Sequence, residues 1–381
     1  MNKILITCAN RTTPYLAQEI EQLGFSVVSE YPSAVEIQGT FHDTYTLNLH
    51  LRTANRVLYW IKDFVAFNAE DLYAKVLEIP WEKYLNPESY LTVDSIVDNP
   101  TIINSLYPNV KCKDAIVDRM SQKIGKRPNS GPEPKGAVVF LYWKNNDVSV
   151  YLDTSGEVLS KHSYRKYPFQ APLQESLAAS IILAAEWDKN THFINPMTGS
   201  GTLAIEAAMM ALNKPPGILR NNFAFMHYQE FDKKIWSAIR RKANAAVKKN
   251  LDIKIIATDI NPDAIQAAQA NAAIAGVQQY IQFKVCDFRQ TPIPQDKKGI
   301  IIFNPEYGMR LGQEENLKNT YQAIGDFLKQ KCQGYTGYIF TGNDTLTKYI
   351  GLHASKKIPF YNAKIECKLL KYELYEGSKN K

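Results

Sequence analysis

Two short motifs combine the turns and side chains that could bind a nucleotide-like cofactor and position an amine. They are NPMTGSG at 195–201 and NPEYG at 304–308. The first is typical of a glycine-rich turn that opens a helix, and the second follows the apolar run Ile300–Phe303, which predicts a buried parallel strand. In this order, the pair is typical of enzymes that methylate an exocyclic amine on a planar base.

The first motif predicts a cofactor site where a strand ends and a helix begins. A strand over 191–195 is expected to turn, through the first motif, into a helix that begins near Thr202. Glycines let backbone amides approach a ligand closely, and a helix N-terminus offers unpaired N–H groups. The spacing G-S-G differs from the dinucleotide fingerprint G-x-G-x-x-G. The predicted cofactor-binding residues of this turn are Asn195, Pro196, Met197, Thr198, Gly199, Ser200 and Gly201.

Acidic residues follow two later predicted strands. Asp259, with Ile260 after it, ends the second strand, where a carboxylate can accept hydrogen bonds from both ribose hydroxyls of a nucleoside. Asp287 is predicted to accept a hydrogen bond from the amino group of adenine, and Phe288 is predicted to pack against the adenine ring. In an open α/β sheet ligands bind at the carboxyl ends of the strands, so these residues are expected to lie together.

The second motif predicts the reaction centre. The lone pair of a base amine is delocalised into the ring, so the amine is a poor nucleophile. The side-chain oxygen of Asn304 and the carbonyl of Pro305 can each accept one N–H, and Tyr307 can stack on the base. No metal or strong general base is required, because positioning supplies most of the acceleration.

Length and composition describe an ordinary globular chain. Its 381 residues fit two or three domains. No apolar run approaches the roughly 20 residues of a membrane span, and the first residues lack the features of a signal peptide. The five cysteines are scattered without a C-x-x-C, which predicts reduced, buried thiols and a cytoplasmic protein.

The net charge of +7 is concentrated in two basic stretches, at 101–135 and 231–254. Solvated helix faces often carry such runs, but two of them beside a base-modifying site favour nucleic-acid contact. The turn-rich loop at 126–136 could contact phosphates or could be a solvated connection. The candidate RNA-binding residues are Lys111, Lys123, Lys126, Arg127, Arg165, Lys166 and Arg310.

The pattern of elements predicts an α+β region followed by an α/β domain. Before residue 172 the predicted strands are 3–8, 25–29, 34–38, 90–97, 137–143 and 148–153, and the predicted helices are 15–23, 69–85 and 112–124. The later predicted helices are 173–186, 202–212, 233–248, 262–275, 314–331 and 343–350, and the later strands are 191–195, 253–258, 280–285, 299–303, 336–341 and a pair within 357–373. Repeated β-α units indicate a doubly wound, mostly parallel sheet, here with an antiparallel ending.

These motifs resemble the THUMP-containing class I methyltransferases that make N2-methylguanosine in RNA. The branch that acts on guanine of large-subunit (23S) ribosomal RNA is the most similar. The resemblance rests on ILITCAN at 4–10, KHSYRKYPFQAPLQESLAASIIL at 161–183, NPMTGSGTLAIEAA, and EYGMRLG after the catalytic asparagine and proline.

The resemblance implies an order of domains along the chain. It implies a ferredoxin-like domain at 1–45 with part of 46–65, a THUMP RNA-binding domain at 46–155, a linker at 156–171 and a Rossmann-like class I methyltransferase domain at 172–381. The implied cofactor is S-adenosyl-L-methionine, and the implied partner is RNA, with ribosomal RNA preferred over tRNA and neither membrane nor metal required.

The chain departs from the family pattern at Glu306, where a second proline is usual. Its carboxylate could read the N1–H and N2–H edge of guanine or could point into solvent. We therefore expect an RNA guanine-N2 methyltransferase. A tRNA enzyme of the same architecture, a DNA adenine-N6 methyltransferase and an RNA-binding scaffold that has lost catalysis are the alternatives.

Overall fold

The chain folds into two units, each built around a seven-stranded sheet. A computed structural model describes residues 1–375 apart from 103, 105, 171 and 308–313. The first unit comprises Met1–Cys8, Leu16–Leu159 and Arg220–Lys242. The second comprises Ala9–Tyr15, Ser160–Leu219 and Ala243–Lys381.

The sheet of the first unit is mainly antiparallel. Its strands are β1 (Asn2–Cys8), β2 (Val27–Tyr31), β3 (Ala34–Gly39), β4 (Ala54–Val65), β5 (Leu91–Asp98), β6 (Ala137–Lys144) and β7 (Asp147–Asp153). The helices in this part of the sequence are α1 (Thr13–Gln22), α2 (Asp43–His50), α3 (Ala69–Leu77) and α4 (Tyr107–Ile124). The strand order is β2-β3-β1-β4-β7-β6-β5, and β5 runs parallel to β6.

Strand β4 lies at the centre of this sheet, and the sequence analysis did not predict it. It pairs antiparallel with β1 on one side, where Leu58 faces Leu5, and with β7 on the other, where Leu58 faces Asp153. From Tyr59 to Val65 its residues are partly buried or exposed, so the segment NRVLYWIKDFV shows neither a regular alternation nor an unbroken buried run.

Two predicted helices of the first unit have different bounds in the structure. The predicted helix at 69–85 ends at Leu77, because Pro80 has no N–H and disfavours a helical residue before it. Helix α4 starts at Tyr107, five residues earlier than predicted, with Pro108 in its first turn, where the missing N–H costs no helical hydrogen bond. Helix α2 was not predicted.

The second unit confirms the expected doubly wound, mostly parallel sheet with an antiparallel ending. Its strands are β8 (Phe193–Pro196), β9 (Ile255–Asp259), β10 (Ile281–Val285), β11 (Ile300–Phe303), β12 (Thr336–Thr341), β13 (Lys356–Asn362) and β14 (Ile365–Glu373). The later helices are α5 (Glu175–Ala184), α6 (Thr202–Ala211), α7 (Lys233–Ala245), α8 (Pro262–Ile274), α9 (Glu314–Lys331) and α10 (Asp344–Thr347). The order is β10-β9-β8-β11-β12-β14-β13, in which β14 is antiparallel to β12 and to β13.

Hydrophobic clusters cover both faces of this second sheet. In β11, Ile300 and Ile302 belong to the cluster that contains α5 and α6, whereas Ile301 and Phe303 belong to the cluster that contains α9. Successive side chains of a strand point to opposite faces, so a strand buried on both sides needs an unbroken apolar run. The run that predicted β11 therefore has this physical cause.

The segment Arg220–Lys242 lies in the first unit although it is flanked in sequence by second-unit residues. The Tyr228 hydroxyl donates to the Val138 carbonyl oxygen at 2.6 Å, and Gln229 Nε2 donates to the Leu85 carbonyl oxygen at 2.9 Å. The Phe225 ring stacks on Tyr45 of α2, with 4.4 Å between ring centroids. These contacts attach the segment to β6 and its neighbours.

All five cysteines are free and buried, as predicted. Burial raises the pKa of the Cys112 thiol to about 12, so this thiol stays protonated at neutral pH. None of the helices in the described part of the chain is both long and apolar enough to cross a lipid bilayer.

Candidate cofactor and reaction site

The parallel strands bring the predicted site residues to one edge of the second sheet. Strand β8 pairs with β9 on one side and with β11 on the other. Because all three strands are parallel, the residues at their carboxyl ends, Asn195, Asp259 and Asn304, lie along the same edge.

The glycine turn between β8 and α6 uses each of its two glycines differently. Gly199 has φ +55° and Gly201 has φ +84°, a region that favours glycine. A Cβ at Gly201 would lie 2.8 Å from Ala268 Cβ, so this glycine allows α6 and α8 to pack closely. A Cβ at Gly199 would meet nothing within 4 Å, so the backbone there faces open space that a ligand can occupy.

Asn195 joins this turn to the strand that carries the reaction motif. Its Nδ2 donates to the Ile302 carbonyl oxygen at 2.9 Å, and its Oδ1 accepts from Thr198 Oγ1 at 2.7 Å. The side chain is 1% exposed. Asn195 therefore braces β8 against β11, a role that the sequence analysis did not include, and its contact with a cofactor stays a prediction.

The carboxylate of Asp259 faces the glycine turn. Its Oδ2 accepts from the Gly199 N–H at 3.0 Å, and its Oδ1 accepts from the Asn261 N–H at 3.0 Å. The next residue, Ile260, is 70% exposed, which places an apolar surface beside the carboxylate. Open space at Gly199, a carboxylate and an exposed apolar side chain together fit the ribose and the flat base of a nucleoside.

The two residues predicted to contact the adenine ring, Asp287 and Phe288, have partners within the described part of the chain, and their contact with adenine stays a prediction. Both carboxylate oxygens of Asp287 accept from the Arg289 guanidinium, at 2.8 Å and 2.7 Å, and this pairing lowers the pKa of Asp287. The Phe288 ring is 9% exposed and packs edge-on to Phe303 and Phe327. Phe288 is thus a core residue of the second unit, because the chain turns it inward after β10.

Asn304 is the first residue after β11, and its Oδ1 is buried without a hydrogen-bond partner among the described residues. A buried acceptor that lacks a donor costs about 1–3 kcal/mol. Such an atom is expected where a ligand supplies the donor. Pro305 is buried, whereas the side chain of Glu306 is exposed.

Tyr307 is held by a residue that the sequence analysis missed. Its hydroxyl accepts from Asn362 Nδ2 at 2.7 Å, and its ring packs edge-on to Phe340 at 6.3 Å between centroids. Burial raises the pKa of Tyr307 to about 12, so the phenol is neutral at physiological pH. Asn362 ends β13 and pairs with Ile365 across the β13–β14 hairpin, so only the folded hairpin brings it to the motif.

The linker residue Arg165 is predicted to bind RNA, and this stays a prediction, although its side chain has partners within the second unit. Its Nη2 pairs with Glu175 Oε2 at 2.8 Å, its Nη1 donates to the Leu173 carbonyl oxygen at 2.6 Å, and its side chain is 17% exposed. Arg165 thus fastens the linker to the start of α5. The Lys166 side chain is exposed, so its contact with RNA stays a prediction.

Asn271 of α8 fixes the linker to the glycine turn, and the sequence analysis missed it. Its Oδ1 accepts from the backbone N–H of Lys166 and Tyr167 at 3.0 Å each, and its Nδ2 donates to the Ser200 carbonyl oxygen at 3.2 Å. The side chain is fully buried. Helical spacing from Ala264 and Ala268 to position 271 places this lone amide on the core face, a signal that could have identified it.

The other predicted RNA-binding residues lie in the first unit or outside the described residues. Lys111 pairs with Glu70 at 3.6 Å, Arg127 pairs with Asp118 at 3.4 Å, and Lys126 pairs with Glu88. Lys123 is exposed, and Arg310 falls outside the described residues. Within the described ranges no group of three or more His, Cys, Asp or Glu side chains is arranged to hold a metal ion.

We predict that Asn271→Ala lowers the free energy of unfolding of the second unit by about 2–3 kcal/mol, because it leaves buried backbone groups without partners. Urea unfolding followed by circular dichroism measures this. The control is Gln266→Ala in the same helix, where the side chain is exposed and the expected change is within about 0.5 kcal/mol. Equal midpoints for the two variants would contradict the proposed fastening.

Family models match three consecutive parts of the chain. The model described as the RMKL-like methyltransferase domain matches residues 162–371, over half of the chain. The RlmL ferredoxin-like domain matches residues 3–58, and the THUMP domain matches residues 66–153.

Similar proteins cover nearly the whole chain. A provisionally named RNA methyltransferase of Synechocystis sp. is 34% identical over 97% of this chain and 96% of its own length. The ribosomal RNA large subunit methyltransferase K/L of Syntrophotalea carbinolica is 33% identical over 98% of this chain, which spans 54% of that protein. The crystal structure of SMU.472, a provisionally named methyltransferase solved with SAH, has a TM-score of 0.89 and 25% identity over 99% of each chain. The chain therefore belongs to the RMKL-like methyltransferase family, with an RlmL ferredoxin-like domain and a THUMP domain before its catalytic domain.

Proposed function

We propose that this protein is an S-adenosylmethionine-dependent RNA methyltransferase that forms N2-methylguanosine in large-subunit ribosomal RNA. The observation that carries the proposal is the buried, unpartnered Oδ1 of Asn304 at the sheet edge that also carries Asp259. The THUMP match and the names of the relatives support RNA as the substrate.

In the proposed site, three features of the second unit hold the cofactor. Asp259 accepts hydrogen bonds from the ribose hydroxyls, Ile260 offers its exposed side chain to the adenine, and the open backbone at Gly199 leaves room for the chain of the methionine. S-adenosylmethionine supplies, when bound, a methyl group on a positively charged sulfur. The crystal structure of SMU.472 with SAH supports S-adenosylmethionine as the cofactor.

Asn304 and Pro305 position the amine in this proposal. An exocyclic amine has two N–H groups, and the Asn304 Oδ1 and the Pro305 carbonyl each accept one, which turns the nitrogen lone pair away from both acceptors. No strong base is needed, because the nitrogen becomes acidic once it carries the methyl group and then loses a proton to solvent. Positioning therefore supplies most of the rate acceleration.

Glu306 favours guanine over adenine as the base. Its exposed carboxylate follows the two acceptors directly, and guanine offers an N1–H donor beside its N2 amine. Adenine has an acceptor at N1, so the carboxylate would repel it. The neutral phenol of Tyr307 is proposed to stack on the base.

A tRNA guanine-N2 methyltransferase would use the same chemistry. The name of the K/L relatives favours ribosomal RNA, but the chain spans about half the length of those proteins, so the target is part of the proposal. A chain that binds RNA and cofactor without methyl transfer is the remaining alternative. The reason to consider it is Glu306, which stands where the family usually has a proline.

Nucleoside mass spectrometry tests the proposed function. Large-subunit rRNA, small-subunit rRNA and tRNA are purified separately from cells that lack the protein, and from the same cells supplied with wild type or with Asn304→Ala. We expect N2-methylguanosine to fall in large-subunit rRNA alone and to return only with wild type. A loss confined to tRNA would establish the alternative target, and unchanged nucleosides in all three fractions would refute the proposal.

We predict that Asp259→Ala weakens S-adenosylmethionine binding by about 1–3 kcal/mol, the range of hydrogen bonds to a charged group. Isothermal titration calorimetry measures the affinity. The control is Asp263→Ala, because Asp263 is exposed in the first turn of the following helix. Wild-type affinity in a folded Asp259→Ala protein would remove this residue from the site.

We predict that Asn304→Ala slows methyl transfer by at least about 100-fold, while RNA and cofactor affinities stay within several-fold, because the residue aligns the amine. Single-turnover assays with labelled cofactor measure the rate. Asn304→Asp keeps an acceptor oxygen and should retain more activity than the alanine variant. An Asn304→Ala enzyme as fast as wild type would exclude the mechanism.

A further inference from the structure

We infer that the exposed basic face of α7, within the part Lys233–Lys242 that belongs to the first unit, is a phosphate-binding surface for RNA. The inference rests on the proposed function, because it takes RNA as the partner. It goes beyond that function by assigning the contact to a helix that lies in sequence inside the catalytic-domain match. It also ranks this surface above the candidate residues on and near α4 that the sequence analysis named.

One side of this helix is anchored in the first unit. Trp236 is 5% exposed and packs edge-on to Tyr45 and Phe223 at 6.2 Å and 5.6 Å between centroids. The Arg240 guanidinium lies over the Trp236 ring at 5.6 Å. The helix backbone is therefore held by an aromatic cluster, so the helix loses little conformational entropy when RNA binds.

The opposite side presents cations. Lys234 and Arg241 are seven residues apart, so they lie on the same side of the helix, about 10 Å apart along its axis. Lys233 and Lys242 flank them and are also exposed. Ala238 lies between the two central cations, so the middle of this face carries no large apolar side chain. A membrane-binding helix, in contrast, needs large apolar side chains to insert into the lipid.

The charges on this face are not neutralised. Lys233–Lys242 contains Lys233, Lys234, Arg240, Arg241 and Lys242 and no acidic residue, a charge of +5. Four of these, Lys233, Lys234, Arg241 and Lys242, form no ion pair within the part of the chain that the structure describes. The carboxylate before the helix, Asp232, accepts from the backbone N–H of Lys234 at 2.7 Å and of Ile235 at 3.1 Å.

The basic residues on and near α4 form a contrasting surface. Six of them are each paired with a carboxylate, so these twelve groups sum to zero charge. The pairs are Lys111–Glu70, Lys113–Asp114, Arg119–Glu82, Lys126–Glu88, Arg127–Asp118 and Lys135–Glu133. A polyanion responds to net charge rather than to the number of lysines, so the field that attracts RNA is expected to be stronger at α7.

The test compares two matched triple variants of the full chain. Lys234→Gln, Arg241→Gln and Lys242→Gln remove three unpaired charges from α7, and Lys113→Gln, Lys126→Gln and Arg127→Gln remove three paired charges near α4. Binding of a large-subunit rRNA transcript is measured without cofactor between about 50 and 200 mM salt. The α7 triple should reduce the slope of log affinity against log salt by about 2, and the α4 triple by less than 1.

Equal slopes for wild type and the α7 triple, or a larger loss in the α4 triple, would overturn the inference. Thermal melting checks that each triple variant is folded. If the α7 triple variant does not fold, the single variant Arg241→Gln replaces it, with an expected loss of about 0.7–0.9 in slope. Vesicles of phosphatidylserine and phosphatidylcholine test the membrane alternative, and an α7 effect on vesicle binding alone would also overturn it. The proposed function is scored separately, by methyl transfer in the wild type, so either conclusion can fail while the other stands.

Discussion

The hydrogen bonds of the Asn195 side chain connect the two motifs that define the site. One bond crosses from β8 to the Ile302 carbonyl oxygen of β11, and the other closes the start of the glycine turn through Thr198. The side chain is shielded from water, so neither bond is exchanged for one to solvent. The pairing of β8 with β11 and this buried amide together set the distance between the glycine turn and Asn304, on which the proposed catalytic geometry depends.

Much of the second unit could be predicted because its signals are local. An apolar run buried on two faces identified β11, and the glycines of the first motif identified the turn before α6. These features follow from backbone conformation and strand periodicity, which a short stretch of sequence contains in full. The strand-end position of Asp259 followed from the same reasoning and agrees with its hydrogen bond to the turn.

The contacts that the sequence analysis did not include join residues that are separated in sequence. Arg165 forms an ion pair with Glu175 of α5, and the Phe288 ring packs in the core against Phe327. Asn362 meets Tyr307 only after the C-terminal hairpin forms. No spacing rule encodes such pairings, since side-chain type indicates what a residue can contact but not which neighbour folding provides. The segment Arg220–Lys242 is the largest example, because its sequence neighbours belong to the other unit.

Strand β4 has a consequence for how the N-terminal half of this chain can be inherited. The ferredoxin-like match ends at residue 58 and the THUMP match begins at residue 66, so the junction falls inside a strand that pairs with β1 on one side and β7 on the other. Cutting there would leave two sheets, each with a new open edge, and open edges invite aggregation. Recombination that separates the two domains is therefore penalised at the level of folding, and in this architecture the pair is expected to pass between genes as one indivisible piece.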